Sequence, residues 1–337
     1  MKKKLSAISI SLIIIAITSF HPPKSSKHFT IKQLAPGVWA AINNDNYGHA
    51  ICNAGIVDLG DKTLIFDPFM NIDAAMDLKQ VAKQLTHRDA SIIINSHYHN
   101  DHIRGNQVFV PAEIISTNWT RAKIAVSEPE EIAWEKENAP KLAELNRKKL
   151  LTAKGKEKDE LPMWIGYYEA IVTNGPLNKT TLPTLTFKDS LWIHGSGKRV
   201  LLAEYKNGHS GSDVVMILPK EGIAFMGDLL FEKRHPYLAD GVPASWVKIL
   251  DVFYSDTSLH QFVPGHGNVS GKSVVKEMSR YITDVQQLVD NAIQKQQPDS
   301  VIKKIAVPAQ FADWKFNQFF GFNVSFLLKQ HHASEKK

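Results

Sequence analysis

Three histidines and a carboxylate crowd into one short stretch, His97-Tyr98-His99-Asn100-Asp101-His102, directly after the apolar run Ile92-Ile93-Ile94. The apolar run reads as a strand, and the polar stretch as the loop that begins where the strand ends. Neighbours on a helix surface lie three or four residues apart, so His97 and His99 cannot share a helix face and need a loop that folds round an ion. Imidazole and carboxylate ligands suit zinc, and other divalent transition metals accept them too. One such histidine alone would be an ordinary polar group; four ligand-type side chains at this spacing point to a metal.

The rest of the 337-residue chain has to supply a core around that loop. With 43% hydrophobic and 22% charged residues it has the composition of a globular protein, as one large domain or two ordinary ones. Setting aside Lys2, Lys3 and Lys4, which open a candidate targeting segment, lowers the formal charge from +6 to +3, too little to argue for nucleic acid. Those lysines precede a mostly apolar run from Leu5 to Phe20, shorter than the roughly 20 residues that span a bilayer. The pattern predicts a signal peptide and linker over 1–27 and a periplasmic or secreted protein with no membrane attachment after cleavage. No Ala-x-Ala site follows, so an uncleaved anchor stays open. Cys52, the single cysteine, forbids an internal disulfide and reads as a small buried residue.

Alternating stretches around 29–42 and 51–59 predict strands, with Gly60-Asp61 turning the chain antiparallel into Thr63 to Asp67. Asp67 ends that strand before Pro68, where it could cap a turn or orient a ligating histidine. Ala75, Leu78, Ala82 and Leu85 recur at helical spacing behind Asn71 as cap, and a short strand is expected near 113–116. Residues 118–173 form a highly charged helical insertion, in which Leu161 to Tyr168, with Trp164 at its centre, packs on the core or covers a pocket. Strands are expected over 185–193, 199–205, 214–218, 223–226 and 261–263, then C-terminal helices over 271–330, among them 273–295 and 311–328, and a polar tail over 331–337.

A strand leading into a loop with His or Asp occurs four times, at His97 to His102, His209, Asp228 and His266, and the last three carry glycines beside the ligand. In this order, His97-x-His99-x-Asp101-His102, Gly208-His209-Ser210, Gly227-Asp228 and Pro264-Gly265-His266-Gly267 resemble the successive metal motifs of the metallo-β-lactamase superfamily, from about residue 35 to 270. The resemblance implies an α+β fold, a four-layer αββα sandwich with the helical insertion, over 28–330. It also implies two zinc ions per chain: His97, His99 and His209 hold one, Asp101, His102 and His266 the other, Asp228 bridges them, and Asp67 supports the ligand loop.

Two zinc ions can share a water, lower its pKa towards 7 and polarise the oxygen that becomes negative. The expected activity is therefore hydrolysis by a zinc-bridged hydroxide, with Asp101 and Asp228 as the catalytic carboxylates and a small molecule as substrate. Family members that are β-lactamases with a cysteine ligand have a thiolate where this chain has Asp228, so the ligand set looks more like the thioesterase, lactonase and phosphodiesterase branches. The alternatives are a β-lactamase, a mononuclear iron enzyme resembling the persulfide dioxygenases, and a metal-holding protein without turnover; His99 argues against the flavin-linked di-iron members. His235, Tyr237, Trp246 and Trp164 could line a substrate pocket or simply pack.

Overall fold

The structure, a computed structural model, describes residues 26–334; the signal-peptide and anchor expectations fall on residues outside these. The described chain opens with strands β1 (Phe29–Ala35), β2 (Val38–Asn43), β3 (Ala54–Asp58) and β4 (Thr63–Phe66), each antiparallel to the one before it. Helix α1 (Ile72–Thr86) follows, capped by Asn71, whose side chain accepts from the Ala74 amide. Then come β5 (Ala90–Ile94), the one-turn helices α2 (Asn100–Ile103) and α3 (Asn106–Phe109), β6 (Glu113–Thr117), the long helices α4 (Asn118–Leu150) and α5 (Gly155–Asn174), and β7 (Leu185–Phe187). Strands β4 to β7 pair in parallel and complete a seven-stranded sheet.

A second sheet holds β8 (Ser190–His194), β9 (Arg199–Lys206), β10 (Ser212–Leu218) and β11 (Ile223–Phe225). After α6 (Pro243–Ser255) it gains β12 (Gln261–Val263), parallel to β11. Helices α7 (Lys272–Gln294), α8 (Asp299–Ile302) and α9 (Asn317–Ser334) end the described chain.

The period of two along each strand builds the layers. In β2, Val38 and Ala40 face the second sheet while Trp39 and Ala41 face α1; in β5, Ile92 and Ile94 divide from Ile93 in the same way. In β10, Val214 and Met216 point to the first sheet, and Val215 packs with Trp246, Leu250 and Tyr281 of α6 and α7. The result is an αββα sandwich with one apolar layer between the sheets and one under each helical face.

Two expectations need correction, and one element was not expected. The stretch 185–193 is not one strand: Asp189, at φ 63°, turns the chain so that β7 and β8 belong to different sheets. The last helix begins at Asn317 because Phe316 has φ 62°, and it runs to Ser334, into the stretch set apart as a tail. Helix α6 was not foreseen, although Trp246, Ile249, Leu250 and Phe253 are buried at helical spacing behind Pro243. Among the described residues no helix is long and apolar enough to cross a membrane.

Candidate metal centre

Parallel pairing of β4 with β5 and of β11 with β12 puts the ends of all four strands at one rim of the sandwich. Asp67, His97 to His102, Asp228 and His266 follow those ends, and His209 enters from the β9–β10 turn beside them. The two sheets are tied here by the Val214 amide donating to the Ser96 carbonyl (2.7 Å) and by a hydroxyl pair, Thr117 and Ser212 (2.8 Å).

Two clusters of ligand atoms result. His97 Nε2 and His209 Nε2 each lie 3.0 Å from His99 Nδ1, with Asp228 Oδ2 3.9 and 3.5 Å from the first two. On the other side, Asp101 Oδ2 lies 3.4 Å from both His102 Nε2 and His266 Nε2, and Asp228 Oδ1 lies 3.1 and 3.3 Å from the same nitrogens. All seven residues are buried except His99 and Asp101, which are partly open to a cavity. Asp228 fits so closely because Gly265 stands opposite: a Cβ there would lie 1.9 Å from Asp228 Oδ1. Gly227, at φ 51°, likewise has Ser96 where a side chain would go.

Four of the five imidazoles, those of His97, His99, His102 and His266, are held from behind through the nitrogen that faces away from the clusters, which fixes their ring orientations, whereas His209 Nδ1 is buried without a partner. Asp67 Oδ2 takes His102 Nδ1 at 2.8 Å, while its Oδ1 accepts the Ser96 amide at 2.7 Å; it holds the His102 ring rather than merely capping a turn. The Ile51 carbonyl accepts from His266 Nδ1 (3.0 Å), and Ser96 Oγ lies 2.9 Å from His97 Nδ1. Asp240 meets His99 Nε2 at 2.9 Å and also accepts from the Tyr98 hydroxyl.

The donor set fits metal ions. Burial pushes His209 down to about 3, and burial together with His102 and His99 holds His97 well below its ordinary value, so both are neutral imidazoles ready to ligate. Against the effect of burial, His266 and His102 keep Asp228 well below the carboxylate range. Around His102, the carboxylates of Asp101, Asp228 and Asp67 outweigh burial and raise its pKa, so this spot favours positive charge. His102 Nε2 and Asp228 Oδ1 are buried with no hydrogen-bond partner in the chain, as atoms reserved for a cation are.

Of the residues offered for a pocket, Trp164 and Tyr237 line a cavity of about 430 Å³ that opens on Asp101 and Asp228, together with Lys123, Glu131, Tyr167 and Phe319. Trp164 is also packed into the core, so both readings of its segment hold. His235 is a correction: it is fully buried, 2.9 Å from the Tyr281 hydroxyl and packed on Trp314 and Phe320, away from the cavity. Trp246 packs as well, donating to the Leu229 carbonyl and lying against the His209 ring. Cys52 is buried with its thiol pushed up to about 12 by burial, and it donates to the Asp101 carbonyl (2.9 Å), so it braces the ligand loop as a thiol.

Sequence reasoning missed Asp240, Asn100 and Glu131. Asp240 lies 141 residues from His99, in a loop with no ligand spacing. Asn100 sits inside the motif but is not a ligand type.

The family model of the metallo-beta-lactamase superfamily matches residues 47–266. No curated protein matches the chain. Among solved structures it is similar to a metallo-beta-lactamase from Pontibacter korlensis, with a TM-score of 0.54 and 15% identity over 76% of this chain and 99% of that one. It is also similar to the metallo-beta-lactamase FIM-1 from Pseudomonas aeruginosa in the mono-zinc form, with a TM-score of 0.53, 16% identity, and 76% and 95% of the two chains covered. A third is a metallo-beta-lactamase from Erythrobacter litoralis, with a TM-score of 0.53, 14% identity, and 77% and 98% covered.

Proposed function

The chain belongs to the metallo-beta-lactamase superfamily, and from that premise we propose that it is a hydrolase that holds two zinc ions and cleaves an ester, thioester or lactone bond of a small molecule. The observation that carries this reading is the division of Asp228, whose Oδ2 faces His97 and His209 while its Oδ1 faces His102 and His266. A carboxylate shared between two histidine clusters suits a pair of cations, whose mutual repulsion it offsets.

Bound zinc supplies an acidified water and a Lewis acid for the oxygen that becomes negative in acyl transfer. The chain's own residues do the rest. Asp101 and Asp228 offset part of the cationic charge, and the remainder suits a substrate that develops negative charge. Asp67, Asp240, Ser96 and the Ile51 carbonyl hold the imidazoles so that little reorganisation is needed. The walls of the cavity exclude bulk water and hold the substrate. Esters, thioesters and lactones have leaving groups that need little further help.

Opening of a β-lactam is the second reading. It is favoured by Glu131, a carboxyl that lines the cavity beside Asp101 and Asp228, where it could relay a proton to a departing amide nitrogen. A mononuclear iron enzyme would use many of the same ligands, and the FIM-1 structure in its mono-zinc form leaves single occupancy open for the fold.

Elemental analysis of protein purified without chelator, with kcat/KM for a lactone, a thioester and a cephalosporin, tests the reading. About two zinc ions and a preference for the lactone or thioester are expected. A single iron with no second metal overturns it, and a clear preference for the cephalosporin moves the β-lactamase reading first. The lysine-led apolar run ending at Phe20 supports export to the periplasm or beyond, and the small net charge supports a small-molecule substrate over nucleic acid.

A further inference from the structure

We infer that the α4–α5 hairpin sets the affinity of one metal position, that of Asp101, His102 and His266, by holding Asn100 and Arg104; the inference rests on the two-ion reading above. Asp101 and His102 sit on α2, a single turn with no side-chain cap. A helix that short has no stability of its own, so its ligands stay in place only through tertiary contacts.

On the sheet side these contacts are Asp67 to His102, the Cys52 thiol to the Asp101 carbonyl, and Asn95 Nδ2 to the His102 carbonyl (3.2 Å). On the outer side every contact named here comes from the hairpin. Asn100 Nδ2 lies 2.9 Å from Glu131 Oε1 and 3.1 Å from Glu135 Oε1, both on α4, and 3.2 Å from the Tyr167 hydroxyl on α5. Arg104, just past the end of α2, donates from Nε to Glu128 (2.7 Å) and forms an ion pair with Glu135 at 2.8 Å. Asn100, Arg104, Glu128 and Glu135 are all buried, where an unmade polar contact costs most.

The other position is supported differently. His97, His99 and His209 come from the β5 and β9 loops; the groups behind the His97 and His99 rings are Ser96 and Asp240, and the hairpin reaches only residues flanking these ligands, with Trp119 against Tyr98 and Gly211 and Thr120 Oγ1 donating to the Ser212 carbonyl. Loosening the grip on Asn100 and Arg104, and leaving Trp119 and Thr120 in place, should therefore weaken one ion and spare the other. Asn100 and Arg104 act as positioning residues, since neither offers a ligand atom to the clusters.

The test is zinc affinity measured by competition with a chromophoric chelator at fixed pH, in wild type, Asn100→Ala and Glu135→Gln. Glu135→Gln keeps the shape of its side chain and covers the case in which Asn100→Ala fails to fold. One of two zinc ions should bind about 10- to 100-fold more weakly, the range seen when a group behind a ligand is lost, and the other should be unchanged. Two ions of unchanged affinity, or both weakened alike, overturn this inference alone. A wild-type chain that takes up one ion overturns the two-ion reading with it.

Discussion

Glu131 is the carboxyl whose removal should strengthen the metal-free protein, and the structure gives the size and the pH window. Glu128, Glu131 and Glu135 line one face of α4 at spacings of three and four residues, around a single guanidinium, Arg104. Arg104 is paired with Glu128 and Glu135, so Glu131 is left with the Asn100 amide. Burial pushes its carboxyl up from 4.5 to about 7; Arg104 and His99 oppose this, and Glu135 and Glu128 add to it. In the unfolded chain the same group ionises at its ordinary value. Between those two pH values the folded state holds the extra proton, so stability falls as pH rises through the window and stays lower above it. A rise of this size corresponds to roughly 3 kcal/mol. Glu131→Gln cannot ionise and keeps an oxygen for Asn100. Urea unfolding of chelator-treated wild type and variant should show the variant more stable by about 2–3 kcal/mol at pH 8, with the difference closing towards pH 5. Parallel pH profiles for the two proteins would refute the argument. Metal must be absent, because a nearby cation would hold the carboxylate ionised.

Asp228→Asn should keep the fold, shown by an unchanged circular dichroism spectrum, and lose on the order of a hundredfold or more in turnover. An amide cannot offset two cations, and even groups behind a ligand cost 10–100-fold. Asp45 is held below the usual carboxylate range, because Arg234 and Lys315 outweigh its burial, so its stabilisation is present above the unfolded carboxylate value and fades in acid. Asp45→Asn should therefore lower stability by about 2 kcal/mol at pH 7, with the gap to wild type closing below pH 4 in thermal unfolding. N-terminal sequencing of exported material should find a start near residues 20–25, and an intact Met1 chain in the membrane fraction would point to an anchor instead.

The strands of the layered core could be read before the structure, because apolar, β-prone runs such as Val38 to Ala41 and Ile92 to Ile94 mark buried strands; which face each side chain takes could not, since these runs are apolar on both faces. What also escaped were the points where one residue's backbone decides the path. Asp189 and Phe316 carry positive φ without being glycine, so nothing in their residue type announced that β7 and β8 part company or that α9 starts late. Helix α6 is a different case, since its apolar spacing, Trp246, Ile249, Leu250 and Phe253 behind Pro243, is present in the sequence.

The ligand clusters were legible for a chemical reason: a metal tolerates few donor types, so His and Asp after strand ends are conspicuous. The groups that hold the ligands are not restricted in this way. A carbonyl (Ile51), a serine (Ser96), an aspartate in an unrelated loop (Asp240) and an asparagine (Asn100) all serve, and only the folded geometry selects them. The same holds for the insertion. Charge of this density belongs on a solvated face, and its exposed pairs, such as Arg147 with Glu169, agree; but Glu128 and Glu135 turn inward to Arg104 beneath the metal loop. A charged helix that buries some carboxyls beside a one-turn ligand helix, while Lys123 and Glu131 on it line the cavity, connects substrate wall and metal loop through one element. Changes on that element should therefore alter metal affinity and substrate choice together, as should changes at Asp240, which also lines the cavity, whereas changes at Ser96 should act on the metal alone.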